Sequence, residues 1–138
     1  MSKILQDIYI LTESGTTIWS RVFNPKINEQ MFGAVMSAIN KFAEQISETG
    51  INHFELSKKQ YIIIKKKDLL FIGNAGNNIK QKKIKNELNR ISEKFFELYS
   101  DKLHQIKKFG EISLLSDFEE YIEPSLEDTI NKFEKAFW

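Results

Sequence analysis

Gly73-Asn74-Ala75-Gly76 lies just ahead of Lys80, Lys82 and Lys83, and a glycine-rich stretch followed by cations raises the question of phosphate binding. A P-loop needs GxxxxGK followed by Ser or Thr, so that backbone amides, ammonium and hydroxyl meet phosphate and magnesium. After Gly76 come Asn77, Asn78, Ile79 and Lys80, so that pattern fails, and GxGxxG fails too. The stretch reads instead as a structural turn between a strand and a helix. An RNA-binding GxxG loop of the KH type would sit between helices, whereas a strand precedes this one. Glu119-Glu120 and Glu127-Asp128 are acid pairs, but adjacent positions on a helix point apart, and nothing places a carboxylate in a pocket. Ser14, Ser20 and Ser57 lack a GxSxG context and a nearby histidine. His53 and His104 form no HxxxH or HExxH pair. With no cysteine, disulfides, thiolate metal sites and a cysteine nucleophile are excluded. No catalytic group or metal set emerges, no cofactor is expected, and the residues by themselves spell out no reaction.

Charge is the next source of chemistry. The net charge is only +1, but residues 58–85 carry nine lysines (58, 59, 65, 66, 67, 80, 82, 83 and 85) against Asp68 alone. Residues 111–138 are acidic, with a net charge of −6. Such asymmetry points either to an anionic partner for the basic block or to mutual neutralisation within the fold. Only two of the twenty basic residues are arginine, which weakens a nucleic-acid reading, since bidentate recognition favours the guanidinium. Lys58, Lys59, Lys65, Lys66, Lys67, Lys80, Lys82 and Lys83 are therefore the candidate contacts for an anionic surface. Lysines at the start of a helix oppose its dipole, which implies neglect or a use for the charge.

The elements that must position these groups are legible as patterns. Ile4 to Thr12 and Thr17 to Phe23 are β-branched and aromatic runs joined by Glu13-Ser14-Gly15, an antiparallel hairpin. A helix follows from Asn28, the expected N-cap, to a stop at Gly50. Met31, Phe32, Val35, Met36, Ile39, Phe42, Ala43 and Ile46 fall on one arc of it, the expected core face. Ala34 and Ala38 lie outside that arc, as a strip for close approach of another element or simply as good helix formers. Residues 51–57 alternate, Tyr61–Ile64 and Leu69–Ile72 are continuous apolar strands, and Lys65–Asp68 is the turn between them. A second helix is expected from Lys80 to Leu103, striped by Ile84, Leu88, Ile91, Phe95, Leu98 and Tyr99. Residues 104–115 are ambiguous. A capping box at Ser116/Glu119 opens a last helical region, interrupted at Pro124 and continued by Leu126, Ile130, Phe133 and Phe137. The whole is one domain over residues 1–138. It has β-β-α-β-β-β-α-α order, an α/β (α+β) three-layer arrangement with helix one alone on one face of a five-stranded antiparallel sheet. A dinucleotide-binding parallel fold would need strands alternating with helices.

That order resembles the longin fold. IYILTESGTTIWSRVF, with Ser14-Gly15 and then Trp19-Ser20-Arg21, is similar to the opening hairpin of longin domains, most of all those of Mon–Ccz-type exchange factors and sedlin/TRAPP-type subunits. The strand pair YIIIKKKDLLFIG after helix one is a second similarity. Roadblock domains share the sheet but place a helix before the first strand, for which Met1-Ser2-Lys3 leaves no room. No SNARE heptads follow. The resemblance implies a non-catalytic scaffold that pairs with its own copy or with a longin or roadblock relative and engages a small GTPase or a trafficking-like complex. Pairing in such domains uses the first helix and the neighbouring edge strand, here residues 28–48 and 51–57. Ala34, Ala38, Lys41, His53, Phe54 and Glu55 are the corresponding candidates.

Two other functions stay open at this point: a surface-binding module whose lysines meet anionic lipid or RNA, and a small-ligand sensor of the profilin-like or PAS-like kind. No apolar run approaches the ~20 residues of a membrane span, and the N-terminus is too short and polar for a signal peptide. A cytoplasmic protein is expected, without DNA binding and with at most peripheral membrane contact.

Overall fold

A computed structural model describes residues 4–22, 29–46, 52–56, 58–109, 115 and 117–122. Five strands form one sheet: β1 (Ile8–Thr12), β2 (Thr17–Arg21), β3 (His53–Leu56), β4 (Lys59–Lys66) and β5 (Leu69–Gly76). Their spatial order is β2-β1-β5-β4-β3, with every neighbouring pair antiparallel. The long connection from β2 to β3 carries helix α1 (Glu29–Ile46). After β5 come α2 (Gln81–Tyr99), a 3-10 turn (Ser100–Lys102), α3 (Leu103–Phe109) and α4 (Phe118–Ile122). The expected class and layering are observed: α1 packs on one face and α2 to α4 on the other.

Period-two alternation decides which residue serves which layer. Ile8 and Ile10 of β1, Ile62 of β4 and Leu69 and Phe71 of β5 face α2, where they meet Ile84, Leu88, Ile91, Phe95 and Tyr99. Tyr9, Leu11, Tyr61, Ile63, Leu70 and Ile72 face α1. β1, β4 and β5 thus bury both faces, which explains their continuous apolar runs. Trp19 lies edge-on to Phe118, with centroids 5.0 Å apart, and the Arg21 Nε donates to Glu119 at 2.7 Å. The Trp19-Ser20-Arg21 signature of the opening hairpin therefore anchors α4.

Several expectations are corrected. Gly73-Asn74-Ala75-Gly76 is not a turn: it is the second half of β5, paired with Lys59–Ile62 of β4. Asn74 is fully buried, and its side chain both accepts from the Asp7 amide and donates to the Asp7 carboxylate at 2.9 Å. That clamp extends β1–β5 pairing upstream, and no sequence pattern announced it. Lys59 is the first residue of β4, which is longer than the apolar run Tyr61–Ile64. The β4–β5 turn is confined to Lys67 and Asp68, both at positive φ, the twist that a two-residue hairpin requires. Helix two ends at Tyr99, not at Leu103, and the ambiguous stretch begins with α3. The N-cap at Asn28, the stop at Gly50 and the helix over Leu126–Phe137 lie outside the described residues.

Candidate functional site

The largest departure from expectation is the orientation of α1. Its arc of apolar residues does not face the core as a unit. Phe32 and Met36 point inward, but Met31, Val35, Ile39, Phe42 and Ile46 are 40–75% exposed. The inward face is completed by Gly33, Ser37 and Asn40, all buried. The reason is the hairpin beneath: the Gln30 amide pairs with both the N–H and the C=O of Thr17, at 3.2 and 3.1 Å. The Ser37 hydroxyl donates to the Glu13 carbonyl. Backbone groups of the β1–β2 turn would otherwise be buried unsatisfied, so the polar side of the helix turns in and an apolar side turns out.

The exposed residues follow helical spacing and form one stripe along α1. The side of the sheet that α1 covers also carries residues of β3, the terminal strand. Phe54 and Leu56 share the α1 side of the sheet with Tyr61, whereas His53 and Glu55 point to the α2 side. Phe54 is half-buried and stacks flat on Tyr61, with centroids 4.7 Å apart and planes at 4°. Phe32 continues this aromatic row toward Tyr9, on which it stacks at 4.0 Å. Leu56 at the strand's end is 56% exposed. Among the described residues, α1 thus carries an exposed apolar stripe, and β3 ends the sheet with no strand paired on its outer side.

The six pairing candidates do not form a single patch. Ala34, Ala38 and Lys41 are exposed on the outer side of α1, next to the apolar stripe. Phe54 lies on the same side of the sheet. The half-buried His53 has its Nε2 3.3 Å from Gln60 Oε1 on the other side, and Glu55 is exposed there. Spacing predicts a core position for Met31, Val35, Ile39, Phe42 and Ile46, the residues that dominate the exposed side of α1; spacing alone does not say which of two adjoining arcs faces in.

The lysine block divides in two. Lys59 lies 3.5 Å from the buried Asp7 carboxylate. Lys65 bonds Glu13 at 2.7 Å and lies 3.5 Å from Glu44, and the Glu13 hydrogen bond holds its ammonium above the ordinary lysine range. Lys66 donates to the Ser92 hydroxyl at 2.9 Å, and Lys67 sits over the Phe96 ring at 4.7 Å. Lys58, Lys80, Lys82, Lys83 and Lys85 are exposed. Among the described residues no group of His, Cys, Asp or Glu could hold a metal ion, and no helix is long and apolar enough to cross a membrane. Two shallow clefts, of about 290 and 430 Å³, flank α2 and are lined mainly by charged and aliphatic groups.

Comparison with known proteins agrees with this fold. Residues 6–125 match the family model described as the first longin domain of FUZ, MON1 and HPS1. Among solved structures, MglB of Myxococcus xanthus superposes with a TM-score of 0.58 at 12% identity, over 70% of this chain and 85% of that one. A roadblock/LC7 domain from Streptomyces avermitilis gives 0.55 at 12% identity, over 67% and 82%. At that identity the likeness is one of fold. The search of curated proteins gives no match.

Proposed function

We propose, for a chain that belongs to the family of the first longin domain of FUZ, MON1 and HPS1, a non-catalytic scaffold that pairs through α1 and β3 and engages a small GTPase. The observation that carries the pairing is the exposed stripe of Met31, Val35, Ile39, Phe42 and Ile46 on α1, and the terminal strand β3 is the second element of the proposal. A helix whose function ended at the core would carry polar residues there. Fully burying a side chain of this size is worth roughly 1.5–3 kcal/mol, so five of them, already partly covered, offer enough to offset the low end of the association cost, about 4 kcal/mol. Strand pairing at β3 adds backbone hydrogen bonds and fixes direction. The occupant is a second longin- or roadblock-type chain, its own copy or a relative. Engagement of a small GTPase rests on family membership, and the paired sheet supplies the platform.

Sedimentation of the purified chain at micromolar concentrations, alone and mixed with longin and roadblock chains of the same cell, tests pairing. Concentration-dependent dimers are expected. A monomer in every mixture overturns it. Retention of small GTPases of that cell, loaded with GDP or a GTP analogue, on the immobilised pair tests the second half, and no retention of either form removes it.

A further inference from the structure

We infer that the pole of the molecule where β4 begins and α2 begins is a contact surface for an anionic membrane leaflet. Lys58, Lys80, Lys82 and Lys83 are brought together there, with Lys85 at the flank. The two turns that carry them are tied: the Asn77 amide donates to the Lys58 carbonyl at 3.0 Å, and the buried Gln60 side chain donates to the Gly76 carbonyl at 3.1 Å and to that of Ile79. Side chains on a helix lean toward its N-terminus, so Lys82, Lys83 and Lys85 project toward the same pole as Lys58. All five are exposed, and none has an ion-pair partner among the described residues. The first turn of α2 has no acidic residue and its N-cap makes no side-chain bond, so the helix dipole adds to the positive potential.

The lysine block as a whole would not lie flat on a bilayer, because it occupies both ends of β4. The structure removes that obstacle. At the far end, Lys65, Lys66 and Lys67 are engaged by Glu13 and Glu44, Ser92 and the Phe96 ring. One cationic end remains. It consists of lysines only, with no arginine and no exposed aromatic ring, which suits a diffuse anionic surface rather than base or bidentate phosphate recognition. Lys58 follows the end of β3, but Lys80, Lys82 and Lys83 belong to the start of α2, so variants of Lys82 and Lys83 test this surface apart from the pairing proposed above.

Co-sedimentation of the full chain with phosphatidylcholine vesicles, with and without one part in three phosphatidylserine, at low and at physiological salt, tests this. Binding that requires phosphatidylserine and falls with salt is expected. Each lysine near such a leaflet contributes roughly fivefold, so Lys82→Gln/Lys83→Gln should weaken binding by roughly tenfold or more. The charge-matched Lys94→Gln/Lys102→Gln, farther along the same helical stretch, should retain it. Circular dichroism checks that both variants are folded. Equal binding to the two vesicle types, or equal loss in the two variants, overturns the inference. So does capture by polyglutamate or polyuridylate at physiological salt without vesicle binding, which would assign the pole to an acidic protein or to RNA. A chain that pairs yet ignores the vesicles loses only this inference.

Discussion

Gly15 and Gly33 lie against each other, the turn of the β1–β2 hairpin against a buried position in the first turns of α1. A Cβ added to Gly33 would run into the Gly15 carbonyl oxygen and stand 2.8 Å from Thr17 Oγ1; one added to Gly15 would stand 3.0 Å from the Gly33 carbonyl oxygen. Gly15 also has φ of +97°, where side chains are strained. This contact sets how closely α1 approaches the sheet and, with Gln30 and Ser37, how the helix is rotated.

Gly33→Ala should therefore destabilise, although the same change in a free helix would add up to ~1 kcal/mol. Overpacking against backbone costs about 1–3 kcal/mol, and urea unfolding should show a lower midpoint with an unchanged slope. An increase in stability would mean that the contact is loose.

Asn74→Ala removes two hydrogen bonds to the buried Asp7. Leaving buried groups so reduced costs about 1–3 kcal/mol, more where one is charged. The loss should appear in urea unfolding, and hydrogen exchange should rise first at Gln6, Asp7 and Asn74, whose backbone bonds extend the β1–β5 ladder.

Phe42→Asp should weaken pairing strongly while leaving the monomer's thermal unfolding nearly unchanged, because the residue is 65% exposed. A central interface aromatic commonly contributes about 2 kcal/mol or more, roughly a thirtyfold weaker dimer by sedimentation. Glu55→Gln, on the other face of β3, should change it far less.

The Tyr99 hydroxyl donates to Asp117 at 2.7 Å, and burial first, then Asp117, pushes its pKa well above the ordinary tyrosine range. A group whose pKa is raised by folding lends stability that is complete below the unfolded value, ~10 for tyrosine, and lost as pH climbs toward the folded value. Thermal unfolding should thus fall above about pH 10, and Tyr99→Phe should flatten that fall while lowering stability at neutral pH. Lys65, also raised, contributes in the same direction.

Much of the fold was legible because its signals are local. β-Branched runs, a turn at Glu13–Gly15 and the stripe from Ile84 to Tyr99 depend on neighbours within a few residues, and the element order then left a meander sheet with α1 crossing one face. The Trp19-Ser20-Arg21 pattern carried the family, though not its reason, which is the contact with Phe118 and Glu119 far along the chain. The missed half of β5 shows the limit: Gly73-Asn74-Ala75-Gly76 has turn composition, and only pairing with β4 and the Asp7 clamp make it a strand.

Composition, period and order by themselves determined most of the elements and the two apolar layers, and the resemblance of the opening hairpin pointed to the family. They also determined that a surplus of lysine sits in one block. Tertiary structure decided which way that material faces. α1 has apolar residues over an arc wider than the sheet needs, so its rotation was set by the hairpin, whose polar groups Gln30 and Ser37 meet and whose close approach Gly33 permits. Nine lysines adjacent in sequence became four internally engaged cations and one exposed pole, because antiparallel pairing sends the two ends of β4 to opposite ends of the sheet. Both outcomes depend on contacts between residues far apart in the chain, which no local pattern encodes.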